Sequence, residues 1–286
     1  MTRKSTAILR VSCPDRRGLV FQIADFVSRN NGNIVHADHH IDSQSGLFLM
    51  RVEWELDGFR IQPDEIGAHF ASIAEPANMQ WQLHLSQQPQ RIAIMVSKYN
   101  HCLYDLLLRH AAGELPGIIN MVISNHADLG PLAQRFGIPF HVFTINPANK
   151  KEQEEKQLEL LERERIDLIV LARYMQILSC NFTTRYPNRI INIHHSFLPA
   201  FIGSQPYHQA HHRGVKLIGA TSHYVTEQLD DGPIIEQDVI RISHRDSVED
   251  LIRKGRDLEK IVLARGVRLH LEFRVLPYGR KTAIFD

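Results

Sequence analysis

Asn192 and His194 flank Ile193 directly after the apolar run Arg189-Ile190-Ile191, and Asp230 opens the short acidic turn Asp230-Asp231-Gly232-Pro233. Alternate residues of an extended chain project to the same face, so Asn192 and His194 can act on one centre. An asparagine amide donates to a developing oxyanion, a histidine exchanges a proton near neutral pH, and a carboxylate orients water or an imidazole. Together these are the parts required for acyl transfer or for hydrolysis of an amide-like bond. Spacing alone leaves blander roles open: strand-end caps for Asn192 and His194, and a solvated turn for Asp230. His223 ends a further strand candidate ahead of the Asp230 loop and is a candidate substrate contact.

Other chemistries find less support. His195, His208, His211, His212 and His223 match no zinc spacing, and none of the three cysteines, Cys13, Cys102 and Cys180, completes one, so no metal is expected. His211 and His212 read as surface residues. The stretch Val96-Ser97-Lys98-Tyr99-Asn100-His101 could place a helix amino terminus beside a polar ligand, but it carries neither a dinucleotide fingerprint nor a P-loop. Bound NAD, ATP or another prosthetic group is therefore not expected.

Two rhythms along the chain supply the elements. Residues 5–88 alternate as strand Thr6–Val11, helix from Leu19, strands Ile34–Ile41 and Leu47–Leu56, helix Pro63–Ala74 and strand Met79–Leu85. This β-α-β-β-α-β order is the ferredoxin-like pattern, with two helices on one face of a small antiparallel sheet. After the linker Ser86-Gln87-Gln88-Pro89-Gln90, a second domain over 89–286 repeats strand and helix. Its strand candidates are Ile92–Val96, Ile118–Ser124, Phe140–Phe143, Leu168–Leu171, Ile190–Ile193 and Leu217–Ser222. Helices are expected over Leu103–His110, Lys151–Arg165 and Ser247–Leu271, then a Leu271–Leu276 strand and a Lys281–Phe285 tail. The fold class is thus α/β, with a largely parallel Rossmann-like sheet whose ligand should lie at the carboxyl ends of the strands, where Asn192 and His194 fall.

Composition bounds the class. The 286 residues are 43% hydrophobic and 23% charged, which calls for a folded, core-bearing protein. Thirty-three basic against 32 acidic residues leave a net charge of +1, so nothing favours nucleic acid as a partner. No stretch reaches membrane-spanning length, and the few scattered cysteines suit a reducing compartment; a cytoplasmic location is expected.

Asn192-Ile193-His194, Ser196 with Leu198-Pro199, His223 and Leu229-Asp230-Asp231-Gly232-Pro233-Ile234-Ile235 together resemble the folate-dependent formyltransferase family. The resemblance implies Asn192, His194 and Asp230 as catalytic residues. Leu171-Ala172-Arg173-Tyr174-Met175-Gln176-Ile177-Leu178 resembles that family's folate-pocket segment, which makes Arg173, Tyr174, Met175, Ile177 and Leu178, with His195 and His223, substrate-binding residues. Cys13-Pro14-Asp15-Arg16-Arg17-Gly18-Leu19-Val20 and the order after it are similar to an ACT domain, a module that binds amino acids or assembles subunits. His195 stands where the transferases commonly have proline, and Ser97–His101 lacks their glycine-rich acceptor-phosphate loop. These departures, with the ACT-like front, imply a hydrolytic branch of the family. Its substrate would be 10-formyltetrahydrofolate and its acceptor water, supplying formate for purine synthesis and balancing one-carbon folate pools. The resemblance further implies a homo-oligomer and an amino-acid effector near Asp15–Leu19 and Asn30–Asn33. Transfer to a small amine and non-enzymatic folate sensing are the alternatives.

Overall fold

A computed structural model describes residues 5–200 and 206–286. The chain divides into two compact units: Met1–Pro89 with Phe273–Leu276 and Ala283–Asp286, and Gln90–Glu272 with Pro277–Thr282.

The first unit runs β1 (Thr6–Pro14), α1 (Leu19–Arg29), β2 (Asn33–Asp42), β3 (Leu47–Glu55), α2 (Ile66–Ala74) and β4 (Gln80–Leu85). Its strands lie in the order β2-β3-β1-β4 with every neighbour antiparallel, the ferredoxin-like arrangement. Leu19, Ile23, Phe26 and Val27 form one stripe of α1 and are all buried; their spacing is that of a helix with a single core-facing side. Phe26 meets Phe70 of α2 edge-on at 5.4 Å, and Phe70 meets Trp81 at 5.3 Å. The second helix starts at Ile66 instead of Pro63, because Pro63 to Glu65 are spent on a turn. The chain's end completes this unit: the Phe273 ring stacks on His84 at 3.8 Å, and buried Arg10 and Arg51 donate to the carbonyls of Val275 and Phe273.

The second unit begins with β5 (Arg91–Val96), α3 (His101–Ala111), β6 (Ile118–Ser124), α4 (Gly130–Arg135), β7 (Phe140–Val142), α5 (Lys150–Arg163) and β8 (Leu168–Leu171). It continues with α6 (Cys180–Arg185), β9 (Ile190–His194), α7 (Pro206–Arg213), β10 (Leu217–Tyr224), β11 (Ile234–Arg241) and α8 (Val248–Leu271). The sheet order is β11-β10-β9-β8-β5-β6-β7. From β7 to β9 all pairs are parallel, and β10 and β11 add an antiparallel edge. The central strands are apolar throughout, as β8's Leu-Ile-Val-Leu is, because helices cover both faces. Strand order reverses at β5, whose neighbours are β6 and β8, and that reversal opens a crevice at the strands' carboxyl ends.

Three local expectations need correction. β11 was not anticipated: its Glu236, Gln237 and Asp238 give it the polar look of a loop, yet an edge strand accommodates such half-buried polar residues. The expected Leu271–Leu276 strand is instead the end of α8 followed by a left-handed Phe273 (φ 55°), with β12 (Val275–Tyr278) starting later and β13 (Lys281–Ile284) after it. α5 ends at Arg163 because Arg165 turns left-handed (φ 53°). Among the described residues no helix is long and apolar enough to cross a membrane.

Candidate active site

The crevice of the second unit is a cavity of about 580 Å³. Its walls come from the segments that leave β5, β8 and β9, from the end of β10, from the Asp230 loop and from one side of α8.

β9 delivers Asn192 and His194 to this wall, and antiparallel β10 sets His223 opposite Asn192 and Thr221 opposite His194. His223 is buried, and its Nδ1 lies 2.9 Å from the Tyr224 carbonyl oxygen, which can only accept. That bond places the proton on Nδ1 and leaves Nε2 as an acceptor, 3.2 Å from Asn192 Nδ2. The Asn192 amide is thereby oriented, with one N–H given to His223 and the other without a partner among the described residues, available to a ligand. Burial lowers the His223 pKa, so the ring is neutral and its 3.7 Å approach to Asp230 is not an ion pair.

Asp230 adopts a left-handed backbone (φ 54°), a conformation aspartate tolerates better than most residues. Its Oδ2 lies 3.2 Å from His194 Nδ1. Burial of the carboxyl raises its pKa, but the bond from His194 and the nearby His223 and His195 outweigh burial, and the net value lies below the usual one. Asp230 is therefore ionised at neutral pH and holds the His194 ring by Nδ1. The opposite nitrogen, His194 Nε2, is buried and has no hydrogen-bond partner among the described residues. An orphaned ring nitrogen on a cavity wall, beside a free Asn192 N–H, is a site prepared for a ligand oxygen.

The loop after β9 is held from beneath. Thr221 Oγ1 donates to the Ser196 carbonyl at 2.8 Å and accepts from Leu198 N at 3.1 Å, and Gln237 Nε2 bridges Thr221 and the Leu198 carbonyl. His195 leaves this loop toward the cavity, and burial, then the nearby Arg173 charge, lower its pKa to about 4. It is neutral at pH 7.

Arg173, Tyr174, Met175, Ile177 and Leu178 all line the cavity. Arg173 is left-handed (φ 64°), and its turn is tied to β5: Ser97 N donates to the Arg173 carbonyl and Met175 N donates to Ser97 Oγ. The Tyr174 ring belongs to the core, where its hydroxyl accepts from Gln157, whereas Met175 and Ile177 expose 54% and 61% of their surface. Two such exposed apolar chains beside a cavity suit a flat, apolar ligand.

A second polar cluster on the same wall was missed by sequence reasoning. Glu259 of α8 is 1% exposed; Tyr207 Oη lies 2.6 Å from its Oε1, while His101 Nε2 lies 2.7 Å and Arg173 Nε 3.6 Å from its Oε2. Arg173 and Arg256 both approach the Tyr99 ring, at 5.4 and 5.3 Å. Only the polar stretch Ser97–His101 hinted at this cluster; its members are 52 to 158 residues from Glu259 in sequence, so no local spacing reveals them. Cys102 brings a third potential ligand atom within 4.8 Å of those of His101 and Glu259. The Arg173 charge beside the same carboxylate opposes a divalent cation there.

Residues 90–267 match the family model described as formyl transferase, and residues 7–74 match that of the ACT domain. A protein of Synechocystis sp. named formyltetrahydrofolate deformylase is 58% identical over 98% of both chains. One of the same name from Bacillus subtilis is 50% identical over 97% of this chain and 93% of its own. The crystal structure of a formyltetrahydrofolate deformylase from Pseudomonas syringae pv. tomato superposes with a TM-score of 0.98 at 48% identity, covering 100% of this chain and 96% of that one.

Proposed function

The chain belongs to the formyl transferase family, with an ACT domain ahead of the catalytic one, and from that premise we propose that it hydrolyses 10-formyltetrahydrofolate to formate and tetrahydrofolate. Full-length relatives at 50–58% identity bear the deformylase name. The structural observation that carries the chemistry is that, among the described residues, His194 Nε2 and one Asn192 N–H have no partner, with Asp230 bound to His194 Nδ1.

Water attacks the formyl carbon, and negative charge grows on the formyl oxygen. Asn192 Nδ2 and protonated His194 Nε2 donate to that oxygen, while the ionised Asp230 stabilises the imidazolium through Nδ1. Asp230 Oδ1 has no hydrogen bond from the described residues and is the atom left to orient the water. When the C–N10 bond breaks, one proton has left the water and one reaches N10, so the reaction balances without a redox partner or prosthetic group. Met175, Ile177 and Leu178 receive the flat pterin, His195 and Arg173 line the polar side, and His223 acts through Asn192 as a positioning residue.

The ACT-like domain, residues 5–88, would have a regulatory or assembly role; an amino acid would bind near Asp15–Leu19 and Asn30–Asn33, and the protein would act as a cytoplasmic homo-oligomer. Product analysis tests the catalytic proposal. Purified protein given 10-formyltetrahydrofolate should release formate with no amine present; formate that appears only after an amine is added would move the activity to transfer, and binding without turnover would reduce it to sensing.

A further inference from the structure

The proposed hydrolysis gives Glu259, Tyr207 and His101 no role. Glu259 lies on the wall of the same cavity as Asn192, His194 and Asp230. The His195 ring bridges the two places, 5.3 Å from the His194 ring and 5.8 Å from that of Tyr207. A carboxylate on the wall of a formyl-transfer cavity is the natural group to hold an amine acceptor, because it binds ammonium and takes hydrogens from neutral nitrogen. Here both of its oxygens are occupied: Oε1 by the Tyr207 hydroxyl, Oε2 by His101 and the flanking Arg173.

The fit of Tyr207 is built into α8. A Cβ at Gly255 would overlap the Tyr207 hydroxyl and ring, so the tyrosine lies directly on the helix backbone at a residue without a side chain. A mid-helix glycine costs about 1 kcal/mol relative to alanine. The cost is offset by a docked ring whose hydroxyl reaches a buried carboxylate.

We propose that Tyr207, seated on Gly255 and bonded to Glu259, is a specificity-determining residue that denies the cavity to amine acceptors and leaves water as the nucleophile. This rests on the deformylase proposal. With Tyr207 removed, an amine can lodge against Glu259 Oε1 and attack the formyl carbon. The C–N10 bond then breaks, a C–N bond to the amine forms, the amine nitrogen gives up one proton and N10 takes one.

The test is the partition of formyl groups between water and methylamine. Full-length wild type and Tyr207→Ala are incubated with 10-formyltetrahydrofolate and methylamine, and formate and N-methylformamide are counted by proton NMR. The wild type should give formate, with N-methylformamide no higher than without enzyme. In Tyr207→Ala the N-methylformamide share should rise about tenfold, the change expected when one hydrogen bond to a charged group is exchanged for a ligand's. Adding Glu259→Gln to that variant should return the share toward the wild-type level, a reversal that general loosening of the fold would not produce. If alanine does not fold, Tyr207→Phe keeps the ring on Gly255 and frees Oε1 alone, and its share should also rise. A folded, formate-releasing Tyr207 variant whose share equals the wild type's overturns the proposal. A wild type that releases no formate overturns the deformylase reading instead.

Discussion

At the residue scale the site is a chain of fixed donors. The Tyr224 carbonyl sets the His223 tautomer, His223 orients Asn192, and Asp230 holds His194 by Nδ1, leaving its buried Nε2 without a partner among the described residues. Asn192→Ala removes one oxyanion donor and should lower the rate of formate release roughly 100- to 1,000-fold with the fold intact. His223→Phe should act more weakly, and mainly on turnover, because it frees the Asn192 amide to rotate without removing it. His195 adds a pH dependence whose sign follows from burial. Its folded pKa, about 4, lies below the free value of 6.5, so the unfolded chain binds the proton first and stability falls as pH drops through that window. The loss from this group should be about 2 kcal/mol between pH 7 and 5, and His195→Gln should remove that share of it in urea unfolding at the two pH values. The sequence offered the residue types of Asn192, His194 and Asp230, and the family resemblance, more than their spacing, singled them out; the structure places the first two on β9 and the third in the loop after β10. Glu259 was not legible, since its meaning comes only from side chains of two other helices and of the turn after β8.

At the element scale, two contacts hold the catalytic loop and the long helix. A Cβ at Gly232 would overlap the Tyr224 carbonyl, and Tyr224 N donates to the Pro233 carbonyl at 2.9 Å, so the Asp230 turn is pressed against the end of β10. Gly232→Ala should push Asp230 away from His194 and reduce turnover well beyond any loss of thermal stability. α8 opens with a capping box, Ser247 Oγ accepting from Asp250 N while the Asp250 carboxylate accepts from Ser247 N. Ser247→Ala should cost about 1 kcal/mol in denaturant unfolding. Ser247 and the apolar spacing of Leu251, Leu258 and Val262 made this helix readable from sequence. β11 was not readable, because an edge strand with charged outward residues lacks the apolar run that marks the buried strands.

At the scale of the whole molecule, the sequence changes rhythm near residue 90, and nothing in that rhythm marks the return of the chain's end to the first compact unit. Phe273, Val275 and Phe285 are buried there, and the carbonyls of Val275 and Phe273 accept from Arg10 and Arg51 across more than 200 residues of sequence. Short segments with so distant a partner leave no periodic signature. Removing residues 273–286 should destabilise the first unit by about 5 kcal/mol, the burial of two or three large apolar side chains, visible as an earlier thermal transition by calorimetry. The central claim, that a formyl transferase fold here delivers its group to water, is tested most directly by turnover of 10-formyltetrahydrofolate in 18O-labelled water with no amine present. The account predicts formate carrying one labelled oxygen, released in equal amount with tetrahydrofolate; unlabelled formate, or none until an amine is supplied, would contradict it.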